Sequence, residues 1–95
     1  MNQELLRPIE AAVAERTRAY VRENFLYMRP DWRLGNDDPL LGSGVIDSIG
    51  VIELVEFLQQ EFGCDIREDE ITEGNLGTLG AIARFIHAKS NGNGT

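Results

Sequence analysis

Three amphipathic runs divide the chain, and in each of them apolar residues recur at steps of three and four, which is the period of an α-helix. The first run predicts a helix over residues 3–28, with Pro8 either inside it or at its first turn, after a lead-in of residues 1–8. The second run predicts a helix over residues 48–62 that is stopped by Gly63.

The third run predicts a last helix that begins after Thr78, whose hydroxyl can cap it. Gly80 lies inside this helix, and we expect it to allow a close approach between helices. The polar, glycine-rich residues 91–95 are expected to form a disordered tail. The residues expected to face the core are Leu5, Ile9, Val13, Thr17, Tyr20, Val21 and Phe25 in the first helix, and Ile52, Val55, Leu58 or Gln59, and Phe62 in the second.

Residues 28–44, between the first two helices, are rich in proline, glycine, asparagine and aspartate, which predicts a long loop. Long loops in compact domains tend to be functional or pinned by their own apolar residues. We therefore expect Leu40 or Leu41, together with Trp32 or Leu34, to pack against the helices.

Between the second and last helices, Ile66 and Ile71 enclose a charged stretch. This predicts a loop anchored by Ile66 and one helical turn near residues 68–71, with Leu76 as a further inward anchor. No segment alternates with the period of two that is typical of a strand. The sequence therefore predicts one all-α domain over residues 1–90, with three main helices, a short third helix and a long loop between helices one and two.

The charge of the chain excludes several classes of protein. Its net charge is −7, and residues 47–95, with nine acidic and three basic residues, contribute −6 of it. An acidic surface repels nucleic acids and anionic membranes and attracts basic patches on other proteins. No apolar run approaches the roughly 20 residues that span a bilayer, and the N-terminus lacks the layout of a signal peptide. We expect a monomeric cytoplasmic protein that binds neither nucleic acid nor membrane.

A single cysteine, Cys64, and a single histidine, His87, cannot form a disulfide or a structural zinc site, so we predict no metal. We expect Cys64 to be a half-buried loop residue and His87 to be exposed near the end of the last helix.

The approach to the second helix carries the candidate chemistry. Asp47 can accept hydrogen bonds from the first turn, so it is a good N-cap. Ser48 then lies beside free N–H groups at the positive end of the helix dipole, where a phosphate is most easily held. A catalytic serine would need a neighbouring base, which His87 has no evident way to provide, and a Gly-x-Ser-x-Gly turn, which is absent from the sequence. The pattern favours a binding or attachment site and predicts that the chain is not an enzyme.

The run Gly44-x-x-Asp47-Ser48-Ile49, followed by Glu53-Leu54, resembles the phosphopantetheine attachment site of acyl carrier proteins. The resemblance covers about residues 9–88 and implies a four-helix carrier-type bundle. Its further matches are Phe62, Ile66, Glu70, Ile71, Leu76, Leu79, Ile82, Phe85 and Ile86.

The resemblance implies that Ser48 receives 4′-phosphopantetheine from a phosphopantetheinyl transferase, with Asp47 as the acidic residue beside it. In that interpretation Ile49, Glu53 and Glu56 form the surface that partner enzymes bind. The chain is then a phosphoprotein that carries acyl groups as thioesters. Its partners, besides the transferase, would be an acyl- or adenylate-forming ligase, a ketosynthase or an acyltransferase.

Several positions depart from the family pattern. Gly50 stands where housekeeping fatty-acid carriers usually have an acid, and Arg67 stands where they commonly have proline. Residues 74–77 resemble a short insertion before the last helix, and the N-terminal segment is longer than usual and carries several arginines. These differences favour a specialised fatty-acid, lipid or polyketide pathway.

Two alternatives remain at this point. Val45 and Ile46 stand where peptidyl carriers usually have two glycines, so an acyl carrier is favoured over an aminoacyl or peptidyl carrier of a nonribosomal pathway. In the alternative of another class, Ser48 is an ordinary helix-start residue, and the chain is a non-carrier acidic helical adaptor.

Overall fold

The computed structural model describes residues 6–93, and the side chains of residues 6–90. Its helices are α1 (Pro8–Phe25), α2 (Ser48–Phe62), α3 (Glu73–Leu76) and α4 (Leu79–Asn93), with a single 3₁₀ turn at Glu68–Glu70. Within the described residues there is no strand. The all-α fold, with three main helices, a short third helix and a long first loop, is therefore confirmed.

Helix α1 is shorter than the sequence predicts. It begins at Pro8, whose missing N–H is no loss in a first helical turn, and the Arg7 N–H donates to Glu10 Oε1 at 3.1 Å. It ends at Phe25 because the next residue, Leu26, turns into the core, and its N–H donates to the Val21 carbonyl at 3.2 Å. Leu5, a predicted core residue, lies outside the described residues, as does most of the predicted lead-in.

The ends of α2 and the start of α4 lie where the sequence predicts them. Gly63 closes α2 in the left-handed region, at φ 64°, where a glycine has no steric penalty. Thr78 Oγ1 accepts the Ala81 N–H at 3.0 Å and so caps α4, as predicted. Helix α4 continues to Asn93, into the segment for which the sequence predicts a disordered tail. Residues 94–95 lie outside the described part, so the extent of any tail stays a prediction.

The segment that resembles an insertion is structured. Residues 73–76 form α3, and the Thr72 hydroxyl caps it by accepting the Asn75 N–H at 3.2 Å. Leu76 is buried, as predicted, and brings α3 against α4. The sequence pattern does not predict this helix because the segment contains two glycines, and glycine is a poor helix former.

Helix α1 runs antiparallel to both α2 and α4. The Tyr20 and Phe57 rings join α1 to α2, and the pair Glu10–His87 joins the start of α1 to the C-terminal half of α4. The core lies between these three helices and the loop. Its largest fully buried side chains are Thr17, Val21, Leu40, Ile46, Leu54, Leu58, Leu76, Leu79, Ile82 and Ile86.

Two predicted core residues are exposed. Ile52 is 59% exposed, whereas Leu54 is fully buried. These two residues lie about 160° apart around the helix, so only one of them can face the core. Ile9 is 52% exposed because it lies in the first turn of α1, one turn before Val13, the first buried residue of that helix. The predictions that Ile9 and Ile52 face the core were wrong. Periodicity in the sequence does not distinguish an apolar residue on the buried face from one that lies next to this face.

Two arginines of α1 hold the long loop against the bundle. Arg18 donates to the Leu34 carbonyl at 2.6 Å and to Asn36 Oδ1 at 2.8 Å. Arg22 donates to the Trp32 carbonyl at 2.9 Å. Each guanidinium satisfies loop oxygens that no regular helix or sheet would pair.

The other end of the loop is anchored by backbone. The Leu40 N–H donates to the Gly77 carbonyl at 2.8 Å, and the Gly80 N–H donates to the Asn36 carbonyl at 2.9 Å. A Cβ on Gly80 would lie 3.3 Å from the Asn36 carbonyl oxygen. The close approach that Gly80 allows is therefore with the loop, and not with another helix as the sequence predicts. Leu34 and Leu40 are buried, as predicted.

Of the helices in the described part of the chain, none combines the length and the apolar character needed to cross a membrane.

Candidate functional site

Ser48 lies in a short exposed segment between residues that are buried in the core. Val45 and Ile46 are buried before it, and Gly50 is buried after it. Asp47, Ser48 and Ile49 are exposed between these anchors. The start of α2 is therefore fixed to the core on both sides, and it presents three consecutive side chains to solvent.

Asp47 caps helix α2 as the sequence predicts. Its backbone is extended, with φ −93° and ψ −174°, and its Oδ1 accepts the Gly50 N–H at 2.8 Å. Its carbonyl accepts the Val51 N–H at 3.0 Å. Within the described residues, the N–H groups of Ser48 and Ile49 and the Ser48 hydroxyl make no hydrogen bond. Two donors of the first turn therefore lie free beside a free hydroxyl.

Gly44 shapes the approach to this site. Its φ is 88°, in the region that side-chain-bearing residues rarely adopt, so the turn into Val45 depends on a glycine. Just before it, the Ser43 hydroxyl donates to the Pro39 carbonyl at 2.7 Å, which fixes the loop on its other side.

Gly50 is the residue of α2 that contacts the end of α1, a role that its position in the sequence does not predict. A Cβ at this position would lie 2.7 Å from Phe25 Cε1 and 3.0 Å from Ile46 Cγ2. The absence of a side chain therefore lets the last residue of α1 pack against the first turn of α2. A glycine inside an amphipathic helix was the available signal of close packing.

The exposed face of α2 carries the three predicted docking residues. Ile49 is 71% exposed, and Glu53 and Glu56 follow it at four and seven residues, so the three side chains share one face. Ile52, which the sequence predicts in the core, is exposed and adds a second apolar side chain to the surface of α2. Clustered exposed apolar residues often mark an interaction site.

His87 is not the exposed residue that the sequence predicts. It is half-buried, and its Nδ1 lies 2.8 Å from Glu10 Oε2. This hydrogen bond is the main cause of the lowered pKa of the Glu10 carboxyl. His87 therefore lies beside the start of α1, whereas Ser48 lies near Phe25 at its end, because Phe25 contacts Gly50. Glu10 and Phe25 are 15 residues apart, which corresponds to about 22 Å along the helix. His87 is too far from Ser48 to act as its base.

Cys64 is half-buried in the loop after α2, as predicted. Burial raises the pKa of its thiol, which keeps it protonated and unreactive near neutral pH. Among residues 6–93, no three carboxylate, histidine or cysteine side chains form a group that could hold a metal ion.

The site has the features that a phosphate-linked group requires. The Ser48 hydroxyl is exposed and makes no hydrogen bond in the described part of the chain, so it is accessible for attachment. Two first-turn N–H groups and the helix dipole would favour the negative charge of a phosphodiester there. The Asp47 carboxylate is held by the Gly50 N–H. The residues present therefore fit such a group.

Comparison with known families agrees with this geometry. A family model, described as the phosphopantetheine attachment site, matches residues 25–86, which is more than half of the chain and includes Ser48 and all of α2 and α3. A search of curated proteins finds no match. The chain belongs to the phosphopantetheine attachment-site family, that of the acyl carrier proteins, and its cofactor is covalently attached 4′-phosphopantetheine.

Proposed function

We propose that this carrier protein is a discrete acyl carrier whose attachment residue is Ser48. It holds acyl intermediates as thioesters and presents them to partner enzymes of a specialised fatty-acid, lipid or polyketide pathway. The observation that carries the proposal is the exposed Ser48 hydroxyl at the capped start of α2, in a chain of this family. The protein is then a substrate of a phosphopantetheinyl transferase and catalyses nothing itself.

The role of each site residue follows from its position. The Ser48 hydroxyl attacks the pyrophosphate phosphorus of coenzyme A that carries the pantetheine arm. A bond forms between the serine oxygen and that phosphorus, and the bond from the phosphorus to the bridging pyrophosphate oxygen breaks. Adenosine 3′,5′-bisphosphate leaves, and the hydroxyl proton passes to a base of the transferase. Asp47 holds the first turn of α2 in place by its bond to Gly50. When attached, the cofactor supplies a terminal thiol on a long tether, which raises the local concentration of the acyl group in a partner's active site.

The exposed face of α2 is the proposed docking surface. Ile49 supplies an apolar contact next to the attachment point, and Glu53 and Glu56 supply negative charge further along the helix. Partners with basic patches would bind quickly and transiently, with an affinity that falls as salt screens the charges. The partners proposed are the transferase and a ligase, ketosynthase or acyltransferase.

We favour an acyl group over an aminoacyl group as cargo. Val45 and Ile46, which stand where peptidyl carriers usually have glycines, are buried core residues here. Gly50 now has a packing role against Phe25, so it is weaker support for a specialised pathway than the sequence indicates. The proposal also includes a monomeric state and a cytoplasmic location. Light scattering and cell fractionation would test these two points.

The experiment is incubation of the purified protein with coenzyme A, Mg²⁺ and a broad-specificity phosphopantetheinyl transferase, followed by intact-mass measurement. We expect the addition of one phosphopantetheine group to the wild type and none to Ser48→Ala. Ser43→Ala is the matched control, because Ser43 is exposed in the preceding loop, and we expect it to be modified fully. No addition to the wild type, or an addition that survives Ser48→Ala, would refute the proposal.

A further inference from the structure

The long loop between α1 and α2 forms an open pocket, which we call the loop pocket. Its volume is about 400 Å³, within the range of roughly 300–1,000 Å³ that is usual for small-molecule sites. Its lining residues all belong to the loop and are Trp32, Arg33, Asp38, Pro39 and Ser43. None of them belongs to the docking surface proposed on α2, so the loop pocket is a separate feature of the molecule.

The walls of the loop pocket are held in place by the rest of the structure. Arg22 of α1 donates to the Trp32 carbonyl at 2.9 Å, and the Arg29 guanidinium lies 4.9 Å from the centroid of the Trp32 ring. On the other side of the pocket, the Ser43 hydroxyl donates to the Pro39 carbonyl at 2.7 Å. The pocket is therefore formed before any ligand binds.

Several polar groups of the loop pocket are unused. The Trp32 indole N–H and the Arg33 guanidinium donate to no residue of the described part of the chain. Asp38 Oδ2 accepts the Gly35 N–H at 2.8 Å, but Asp38 Oδ1 accepts no hydrogen bond from the described residues. The pocket therefore offers two kinds of donor and one acceptor, together with the apolar surface of Trp32 and Pro39.

The loop pocket lies close to the proposed attachment residue. Ser43 precedes Ser48 by five residues, so their Cα atoms are at most about 18 Å apart. In addition, the Ile46 N–H donates to the Leu40 carbonyl at 3.0 Å, which brings Pro39, the neighbour of Leu40, towards the start of α2. A phosphopantetheine arm on Ser48 has about 16 bonds from the serine Cα to its sulfur, as many as about five peptide residues, so it can span this distance.

We propose that the loop pocket binds the pantetheine part of the chain's own prosthetic arm whenever no partner enzyme holds it. Pantetheine contains two secondary amides, a hydroxyl and a pair of methyl groups. Its carbonyls can accept hydrogen bonds from the Trp32 indole and Arg33, its amide N–H groups can donate to Asp38, and its methyl groups can contact Pro39. The inference rests on the proposed function, because the reach of the arm is counted from Ser48.

The tether makes even a weak site effective. A group on a short flexible tether has an effective concentration of the order of 1 mM, so a site with a Kd of about 1 mM is occupied about half of the time. Weak binding suits a carrier, because the arm must leave the loop pocket to enter the active site of a partner.

The test uses Trp32, which is the only tryptophan of the chain and therefore gives signals that report on the loop pocket alone. The ¹⁵N-labelled apo protein is compared with the holo protein that a transferase makes from coenzyme A, with the modification confirmed by intact mass. We expect the indole ¹H–¹⁵N resonance to shift in the holo form. Acrylamide quenching of the fluorescence should fall by up to about half, in line with the occupancy. Ser48→Ala, treated in the same way, should show neither change.

Two arginine variants locate the effect. Arg33→Gln removes an unused donor of the loop pocket, and it should reduce the change in quenching about two- to threefold, since a lost hydrogen bond to a charged group weakens binding severalfold. Arg16→Gln is the matched control, because Arg16 is also exposed and its partner Glu61 lies about 20 Å from Ser48 along α2. Arg16→Gln should behave like the wild type, and thermal melting checks that both variants are folded.

The possible results separate the loop pocket from the carrier function. If the wild type is not modified, or if Ser48→Ala is, the proposed function fails and the inference falls with it. If the holo protein forms but its Trp32 signals equal those of the apo protein, the inference alone is wrong. Equal changes in Arg33→Gln and the wild type would also overturn it. A shift that appears only after unlabelled transferase is added would assign the pocket to a partner enzyme, and the inference would again be wrong.

Discussion

Replacement of Gly50 by alanine tests how α1 is joined to the start of α2. The new Cβ would lie 2.7 Å from Phe25 Cε1, closer than carbon atoms approach without displacement, and 3.0 Å from Ile46 Cγ2. Ile46 is fully buried, so it has little room to move. The Phe25 ring is half-buried, so it must give way first.

The expected magnitude is a difference between two terms. Overpacking of this kind costs about 1–3 kcal/mol. Alanine in place of glycine inside a helix contributes about 1 kcal/mol in the opposite direction. Gly50→Ala should therefore lower the free energy of unfolding by up to about 2 kcal/mol. In a domain of this size, each 1 kcal/mol corresponds to a fall in Tm of about 4–8 °C.

The assay is urea unfolding and thermal melting, followed by circular dichroism. Gly74→Ala is the matched control, because Gly74 is also helical and its added Cβ would meet nothing closer than Thr72 Oγ1 at 3.8 Å. We expect Gly74→Ala to leave stability unchanged or to raise it by up to about 1 kcal/mol.

A double-mutant cycle with Phe25→Leu assigns the cause. If the ring is the obstacle, Gly50→Ala should cost less in the Phe25→Leu background, with a coupling energy of about 1 kcal/mol or more. A Gly50→Ala protein that gains stability, as Gly74→Ala should, would refute the argument. So would a cost that is equal in both backgrounds.

Two further predictions concern the core and the pH dependence of stability. Leu54→Ala should destabilise the domain by about 2–5 kcal/mol, whereas Ile52→Ala should change stability by less than about 0.5 kcal/mol, because only Leu54 is buried. Urea unfolding measures both effects, and equal values would mean that α2 is rotated from its described position. Because the pKa of Glu10 is lowered from 4.5 in the folded state, its bond to His87 stabilises the fold above about pH 4.5, and this contribution is lost as pH falls through the lowered pKa. Glu10→Gln should therefore be less stable than wild type near pH 6, and the difference should disappear in acid; a difference that is constant with pH would contradict this.

The sequence predicted both ends of α2 and the start of α4 correctly because local chemistry marks them. Asp47 and Thr78 cap helices by side-chain bonds to residues three positions later, and Gly63 adopts the left-handed conformation that its type allows. Such signals depend on a few neighbouring residues, so one sequence is enough to read them. The position of Ser48 at the start of α2 was accessible for the same reason.

Features that depend on distant residues were not accessible. Periodicity could not choose between Ile52 and Leu54, because the choice depends on where the other helices lie. The roles of Arg18 and Arg22 required the path of the loop, whose carbonyls they bind. The contact between Gly50 and a ring 25 residues earlier is of the same kind.

The pairing of the acidic residues shows most clearly what the fold adds. In sequence, the acids after Ser48 form one undivided negative region. In the structure Glu61 binds Arg16, Glu70 binds Lys89, and Asp69 binds Arg67.

Glu53 and Glu56 have no such ion pair among the described residues, and both line a shallow surface pocket beside Tyr20. A paired carboxylate attracts a partner weakly, because its field is largely cancelled by the neighbouring cation. Within α2, the attraction for a basic partner is therefore concentrated on these two of its three acidic residues, which lie within about 12 Å of Ser48 along the helix. It follows that reversing the charge of Glu53 or Glu56 should impair docking far more than reversing a paired acid, although each substitution changes the net charge equally.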